Sequence, residues 1–534
     1  MPKRLRIALV PLDDRPVCLQ YPQMLAGLAH AEVVAPPVAL LGRFTTPGNA
    51  DAIATWLRAQ DWTTFDALIV SADMLAYGGL VASRVHRVDT ATALARLRVL
   101  RDVHAARRDL PIYVSSVIMR LAPTADGANE TWREALARYA ELAPGTSTDA
   151  EARDLTAATA RIPADALQDY RQARRRNRDI NLAAVSMVAD GTARFLLVSQ
   201  DDAKPRGLHL QDRVAVTAAA SAGDVIGRVA VQPGADEVGM LLLARAVLDA
   251  RKWHPTVRST FSSERARVMV APYEDRPLHE TVDFQIVAAG AGLARPGDRA
   301  DLDLHVFASR HDAGAGASFA GVVTTALTGG AHVIVADVDP KGDVQGASVE
   351  LTEALLAADA FPRMYGYASW NTAGNTVGTA LAHGLLTWAG GRLMAQCTSP
   401  AWTTLADAQV TFMLHRLVND YAYQGVVRLP LNRELRGAGR TPDWFRTHAT
   451  ELSARLHAAL EPRLQQYASA YTTRAWSPVS PSPGDVAVQV SLPRSLAVSL
   501  PWDRTFEAAI TLDVPVAGLS GPARRLPACT VASR

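Results

Sequence analysis

The 534-residue chain is poor in cysteine and in lysine. Its three cysteines, Cys18, Cys397 and Cys529, lie far apart and form no C-x-x-C pair. This spacing argues against a disulfide framework or a structural zinc site, and it favours a reducing compartment. Four of the 55 basic residues are lysines, so arginine carries almost all of the positive charge.

Long apolar runs and an excess of one charge are also missing. No charge-free apolar stretch reaches about 18 residues, which argues against a membrane-spanning helix. The apolar run at residues 7–12 is too short for a signal peptide, so we expect a cytoplasmic protein. The formal net charge of +2 points neither to a nucleic acid nor to an acidic membrane surface as the partner.

Short apolar runs rich in β-branched residues alternate with stretches of helical periodicity, such as residues 93–106, 238–251 and 349–358. Continuous apolarity predicts strands that are buried on both faces, and hence an α/β protein with parallel sheets covered by helices. We predict strands at residues 7–12, 33–35, 67–71, 112–119, 195–199, 229–232, 257–261, 268–271, 304–308, 332–337 and 365–370.

A repeated motif indicates that these strands form two halves. Pro11-Leu-Asp-Asp-Arg-Pro-Val17 recurs as Pro272-Tyr-Glu-Asp-Arg-Pro-Leu278, with four identities in seven positions, and each copy directly follows a predicted strand. We therefore predict an N-terminal α/β half over residues 1–250 and a second half over residues 255–395. A (β/α)8-like barrel with extra strands is the alternative.

Three additions flank this core. Residues 122–180 are polar and predict a helical insertion, in which an arginine run at 174–178 is typical of a solvated helix face. Residues 400–475 predict a helical segment, and a proline-rich linker follows at 477–484. Residues 485–534 predict a small β element in which 486–491 pairs with 506–512.

Polar residues follow nearly every predicted strand. Ligands of parallel sheets bind at the carboxyl ends of the strands, so this pattern predicts a polar pocket. Each loop taken alone has a structural alternative as a turn, a helix cap or a charge in the first turn of a helix. The substrate-binding candidates are Asp13, Asp14, Arg15, Asp73, Tyr77, Glu274, Asp275, Arg276, Trp370, Asn371 and Asn375.

Two adjacent carboxylate pairs are the catalytic candidates. Asp201 and Asp202 follow a buried strand, where burial and like charge raise one pKa, as a general acid requires. Asp236 and Glu237 form the second pair, although they also suit the first turn of a helix. Carboxylates accompanied by Trp, Tyr, Asn and Arg are typical of a carbohydrate site, and glycoside hydrolysis uses two carboxyl groups.

Both pairs resemble motifs of known hydrolases over fewer than ten residues. Gly234-Ala-Asp-Glu-Val238 resembles the Gly-Gly-Asp-Glu-Val signature of substrate-assisted β-hexosaminidases. That resemblance implies that Asp236 orients the acetamido group of the substrate and that Glu237 is the general acid. Residues 195–202 resemble the strand and Asp-Asp motif of O-GlcNAc-removing hydrolases.

A wider resemblance covers roughly residues 5–395. The motifs Pro-Leu-Asp-Asp-Arg-Pro, Gln-Asp-Asp, Gly-Ala-Asp-Glu and Trp-Asn-Thr-Ala-Gly-Asn together resemble a bacterial family known only as a domain of unknown function. The last of these motifs, at residues 370–375, is the most specific. The resemblance implies no chemistry, so the prediction of function depends on the residues.

Several enzyme classes lack their motifs here. A Walker loop, a strand-following G-x-G-x-x-G, H-E-x-x-H and G-x-S-x-G are all missing, which argues against the common NTPases, dehydrogenases, zincins and serine hydrolases. We predict a hydrolase that acts on a small-molecule carbohydrate, an amino-sugar glycoside, without a cofactor. Two alternatives stay open: a sugar isomerase or phosphate hydrolase with Mg²⁺ or Mn²⁺ on Asp13, Asp337 or Asp339, and a non-catalytic sugar-binding protein.

Overall fold

The computed structural model describes residues 3–518 except 128, 296, 395–398, 444, 446 and 473–487. The linker predicted at 477–484 and the last part of the predicted β element lie outside these residues. The prediction of parallel sheets is confirmed. The described residues form eleven core strands: β1 Leu5–Val10, β2 Ala31–Val34, β3 Ala67–Ser71, β4 Ile112–Ile118, β5 Phe195–Gln200, β6 Val229–Pro233, β7 Thr256–Phe261, β8 Gly292–Leu293, β9 Leu302–Phe307, β10 Val333–Asp337 and β11 Gly366–Ala368.

Helices fill the connections between the strands and most of residues 399–472. None of the described helices is both long and apolar enough to cross a bilayer. They are α1 Gln20–Leu28, α2 Ala50–Arg58, α3 Ala72–Tyr77, α4 Leu80–Ser83, α5 Thr90–Leu97, α6 Val99–Ala106, α7 Arg133–Leu142, α8 Asp149–Arg161, α9 Ala164–Ala189, α10 Leu208–Ala222, α11 Val238–Arg251, α12 Glu264–Val268, α13 Leu278–Ala288, α14 Ala315–Thr328, α15 Val349–Ala357, α16 Ala373–Met394, α17 Ser399–Arg416, the π-helix Leu417–Val427, α18 Arg428–Gly437 and α19 Ala449–Thr472.

The two sheets share one topology. The first has the order β2-β1-β3-β4-β5-β6 and the second has the order β8-β7-β9-β10-β11, with every pair parallel. In each sheet the first strand lies between the second and the third, which places a topological switch point at its carboxyl end. Each copy of the repeated motif lies between that first strand and the first long helix, at the switch point.

One predicted strand is wrong and one short strand escaped prediction. Residues 268–271 are not a strand, because the Ser263 hydroxyl accepts a hydrogen bond from the Ala266 N–H and starts α12, which ends at Val268. The valines that suggested a strand, Val268 and Val270, are exposed on the surface. The two-residue strand β8 is too short to produce a periodic signal.

A layer of helices between the sheets joins them into one body. α11 packs against β3, β4 and β5, α16 packs against β9, β10 and β11, and the two helices also contact each other, together with α1 and α13. One apolar cluster contains residues of both sheets and of these helices. The carboxyl edges of the two sheets are thereby held next to each other.

The described C-terminal strands form two antiparallel pairs. β12 Val488–Val490 pairs with β15 Val516–Gly518, and β13 Ser495–Ser499 pairs with β14 Ala509–Asp513. The predicted pairing of residues 486–491 with 506–512 is therefore wrong. Both predicted segments contain a strand, but each pairs with another segment. The connection between β13 and β14, residues 500–508, forms a hairpin tip that reaches the carboxyl edge of the first sheet.

We expect the close contact between α16 and α1 to depend on Gly390. A Cβ atom at this position would lie 1.9 Å from the backbone carbonyl oxygen of Leu28, which cannot move aside as a side chain does. Gly390→Ala should lower the free energy of unfolding by about 1–3 kcal/mol, as overpacking does. Urea denaturation measures this change.

The matched control is Gly321→Ala in α14, where a Cβ atom meets nothing within 4 Å. This substitution should leave stability unchanged or raise it by up to about 1 kcal/mol, because alanine favours the helix. Equal effects of the two substitutions would contradict the close packing of α16 on α1.

Candidate functional site

A cleft of about 250 Å³ lies where the carboxyl edges of the two sheets meet. The first sheet supplies most of its charged side chains, the second sheet supplies polar and aromatic groups, and the C-terminal part closes it with Asp443, Trp502, Arg504 and Phe506. Its main lining residues are Arg15, Arg84, Arg120, Thr124, Arg133, Asp201, Asp202, Asp236, Tyr273, Gln345, Asn371, Asp443, Trp502, Arg504 and Phe506.

The cleft brings together part of the site predicted from the sequence. Five predicted residues line it, namely Arg15, Asp201, Asp202, Asp236 and Asn371. The other ten lie beside or beneath it, and these are Asp13, Asp14, Asp73, Tyr77, Glu237, Glu274, Asp275, Arg276, Trp370 and Asn375. These ten residues are not part of the lining of this cleft, although Trp370 lines a smaller pocket next to it together with Arg15 and Asn371.

Arg15 is a buried cation that ties two loops together. Its Nε and Nη2 donate to the Asp13 carboxylate, and its Nη1 and Nη2 donate to Asp236 Oδ2 and Oδ1 at 3.0 and 2.7 Å. Burial raises the pKa of Asp236, although the charge of Arg15 opposes this rise. The forked guanidinium thus joins the loop after β1 to the loop after β6 with bidentate geometry.

Asp201 and Asp202 each face an arginine from a neighbouring loop. Arg84 Nη2 donates to Asp201 Oδ2 at 2.6 Å, and Arg120 Nη1 pairs with Asp202 Oδ2. Asp201 is buried, whereas 33% of the Asp202 side chain is exposed in the cleft. Desolvation raises the pKa of Asp202 and the Asp201 charge adds to the rise, while Arg120 opposes it.

The arginine run of the helical insertion holds this pair of arginines in place. Arg174 donates to the backbone carbonyls of Met119 and Arg120 at 2.8 and 2.6 Å, and Arg176 donates to the Ser83 carbonyl at 2.6 Å. Both side chains are buried. The prediction of a solvated helix face is therefore wrong for these two residues, because their guanidinium groups satisfy carbonyls beside the cleft.

Backbone strain is concentrated around the cleft. Ten non-glycine residues in the described chain have a positive φ, and four of them line the cleft: Asp202 at 42°, Tyr273 at 66°, Gln345 at 57° and Asn371 at 56°. The left-handed region is unfavourable for most side chains, and such residues cluster at ligand sites where the surrounding structure holds them. The strained residues therefore make the cleft the candidate functional site of the chain.

The C-terminal hairpin tip forms one wall. Trp502 Nε1 donates to Asp14 Oδ1 at 2.6 Å, and the guanidinium carbons of Arg15 and Arg504 lie 4.8 and 4.7 Å from the centre of its ring. Trp502 is 3% exposed, so its faces are occupied by protein. Tyr273, at 43% exposed, is the aromatic ring that the cleft offers to a ligand.

Two buried carboxyl groups lie beneath the cleft, at the start of α16. Glu237 accepts hydrogen bonds from the Ala235 N–H and the Gln285 amide, and Glu274 accepts one from the Gly374 N–H at 2.8 Å. Burial raises the pKa of each to about 8. Gly234 makes room for Glu237, since a Cβ there would lie 2.0 Å from Glu237 Oε1.

The second copy of the repeated motif connects the two sheets. Gln200, the last residue of β5, donates its amide to Asp275 at 2.7 Å and accepts from Arg276 at 3.3 Å. Arg213 also pairs with Asp275. Both copies of the motif therefore join a strand end to a neighbouring loop. The first copy does so through Asp13 and Arg15, and the second through Asp275 and Arg276.

The remaining predicted binding residues are packed into the core. Asp73 accepts from the Val117 N–H at 2.9 Å, and burial raises its pKa to about 7. Tyr77 stacks on Arg176, with 4.1 Å from Cζ to the ring centre. Trp370 Nε1 donates to the Thr379 hydroxyl, and Asn375 is buried in the first turn of α16.

The carboxylates named for the metal alternative have protein partners. Arg15 binds Asp13, and Arg310 pairs with Asp337 and Asp339 at 3.1 and 3.6 Å. Asp339 also accepts four backbone N–H bonds from residues 341–345, and these donors together with Arg310 outweigh burial and lower its pKa. Across the described residues, no group of three or more His, Cys, Asp and Glu is placed to hold a metal ion.

Several cleft residues escaped sequence reasoning. Arg84, Arg120 and Arg133 lie up to fifteen residues beyond a strand end, and Trp502, Arg504 and Phe506 lie in a region predicted as a separate element. For the three arginines there was one indication in the sequence. Since arginine carries nearly all of the positive charge, an arginine is the expected partner of a carboxylate at a strand end. The hairpin tip had no comparable signal, since its position depends on contacts with distant loops.

Fold and cleft together define a doubly wound α/β protein with two sheets of equal topology and a polar cleft at their joined carboxyl edges. The chain belongs to the family described as "Protein of unknown function (DUF4127)", whose model matches residues 7–511. The match includes every cleft residue from Arg15 to Phe506. No curated protein and no solved structure matches the chain.

The raised pKa of Glu237 makes stability depend on pH. A carboxyl group with a folded-state pKa near 8 and an unfolded value near about 4.3 keeps its proton longer in the folded state. Its contribution is therefore complete below about pH 4 and is lost as the pH rises towards 8. Glu237→Gln mimics the neutral acid, so the variant should not lose this contribution as the pH rises. The free energy of unfolding of the variant minus that of the wild type should therefore increase by on the order of 1–3 kcal/mol between pH 5 and 8.

Chemical denaturation at several pH values measures this difference. Glu280→Gln on the exposed side of α13 is the control, and its difference from the wild type should not change with pH. A constant difference for Glu237→Gln as well would show that Glu237 is ionised in the folded protein.

Proposed function

We propose that the protein is a carbohydrate-active hydrolase that cleaves a glycosidic bond of an amino sugar by acid–base catalysis with two carboxyl groups. The observation that carries this proposal is the position of Asp201 and Asp202 in the cleft, on a strained turn beside an exposed aromatic ring. Carboxyl pairs of this kind perform glycoside hydrolysis, and an aromatic face packs against a sugar ring.

The two carboxylates have different surroundings, which suits different roles. Asp201 is buried and bound to Arg84, so it is the charged partner that orients the acetamido group or stabilises positive charge. Asp202 is open to the cleft and has a raised pKa, so it is the general acid. Asp236 is bound on both oxygens by Arg15 and Glu237 has no access to the cleft, which makes that pair the weaker choice.

A non-catalytic sugar-binding protein is the second candidate. The observation that favours it is that Asp201 and Asp202 both form ion pairs with arginines. An arginine stabilises the ionised carboxylate and therefore opposes its use as an acid. In that case Asp202 would accept a sugar hydroxyl and Tyr273 would pack against the ring, without bond cleavage.

Asp202→Asn should abolish most of the turnover. The amide keeps the size of the side chain but has no acidic proton, so kcat/KM should fall by about 100-fold or more. Release of aryl alcohol from aryl glycosides of N-acetylated amino sugars measures the activity. Asp224→Asn is the matched control, because Asp224 also has a positive φ of 52° but is exposed away from the cleft.

The same assay separates the alternatives. Unchanged turnover in both Asp201→Asn and Asp202→Asn would contradict the proposed catalytic pair. Sugar binding without turnover by the wild type would support the binding protein. Loss of activity with EDTA that Mg²⁺ or Mn²⁺ restores would support the metal-dependent alternative.

A further inference from the structure

The positive charges of the cleft are unevenly paired. Of its five arginines, four form ion pairs with carboxylates of the protein: Arg15 with Asp13 and Asp236, Arg84 with Asp201, Arg120 with Asp202, and Arg504 with Glu507. Arg133 lines the same cleft and forms no ion pair within the part of the chain that the structure describes. Two charged side chains of the lining, Arg133 and Asp443, therefore form no ion pair among the described residues.

Arg133 belongs to a wall that is cationic as a whole. Arg84, Arg120 and Arg133 come from the loops after β3 and β4, and the first two pair with Asp201 and Asp202. Of the other carboxylates that line the cleft, Asp236 is bound by Arg15 and Asp443 comes from the C-terminal part. The loops after β3 and β4 thus contribute three arginines and no carboxylate to the lining. The Nε–H of Arg84, a residue that is 8% exposed, also has no hydrogen-bond partner among the described residues.

The position of Arg133 is unfavourable for the helix that carries it. Arg133 is the first residue of α7, where the helix dipole repels a cation. No side chain caps this helix end, and the acidic residue of its first turn is Glu134. The helix end itself therefore gives no reason for an arginine at this position. Residues that oppose a local preference without a compensating contact are typical of sites that serve a ligand.

We propose that the sugar bound in the cleft is anionic and that its carboxylate or phosphate pairs with Arg133. This inference rests on the proposed function, in that Tyr273 and Asp202 would hold the sugar ring. The planar guanidinium forms paired hydrogen bonds with both kinds of anion, which Lys or a neutral donor cannot match. Arg133 then determines substrate specificity, and it takes no part in the acid–base step.

Calorimetric titration at low salt tests the inference. The probes are glucose, glucuronate, glucose 6-phosphate and inorganic phosphate, added to the wild type, to Arg133→Gln and to Arg153→Gln. The last variant is the control, because Arg153 is exposed on α8 in the same helical insertion. The wild type and the control should bind one of the charged sugars about ten-fold or more tightly than glucose, as a charge-assisted contact predicts.

In Arg133→Gln the preference should fall to within about two-fold, with glucose binding unchanged. Preference for glucuronate identifies a carboxylated sugar, and preference for glucose 6-phosphate or inorganic phosphate identifies a phosphorylated one. Equal binding of charged and neutral sugars, no binding of any probe, or a preference that survives in Arg133→Gln would overturn the inference.

Turnover of the aryl glycosides, measured on the same preparations, distinguishes this inference from the proposed function. An anion preference through Arg133 without any hydrolysis would retain the anion site and contradict the hydrolase. Hydrolysis by a wild type that shows no anion preference would retain the hydrolase and contradict the anion site.

Discussion

The buried guanidinium of Arg15 is the interaction on which the cleft depends. A cation out of contact with water is tolerated in a protein only when carboxylates and hydrogen bonds compensate for its lost hydration. Asp13 comes from the same loop as Arg15, but Asp236 comes from the end of β6, and the ring of Trp502 comes from the hairpin tip. Neutralising one charge therefore fixes three segments that are far apart in the sequence.

Buried arginines are paired with polar or acidic side chains elsewhere in the molecule as well. Arg276 and Asp275 bind Gln200 where the second sheet meets the first. Arg310 binds Asp337 at the end of β10 and Asp339 just beyond it, and Arg416 pairs with Asp420 in the π-helix. Strand ends gather acidic residues, and arginines from neighbouring loops neutralise them. This pairing explains how a chain with a net charge of +2 contains so many buried charges, and it makes the unpaired Arg133 stand out.

Ten of the eleven core strands were predictable, because a strand buried on both faces is a continuous apolar run whatever surrounds it. Residues 268–271 have the same composition, but the Ser263 cap starts a helix there. The site was predictable in part. The strand-end rule led to Asp201, Asp202 and Asp236, which line the cleft, whereas Asp73, Tyr77 and Trp370 also follow strands and are packed into the core. The order of residues along the chain does not show which side of a sheet edge a side chain faces.

By itself the sequence determined the fold class, the presence of the repeated motif and the acidic character of the strand ends, since these follow from local composition and period. That the second copy follows the first strand of its sheet, and not a strand at 268–271, was decided by the structure. The tertiary structure alone decided which acids face solvent and which arginine pairs with each of them. It also decided that Trp502, nearly 500 residues beyond Asp14, closes the cleft over it. Such choices depend on the cost of burying charge, and that cost exists only once the sheets and helices have excluded water.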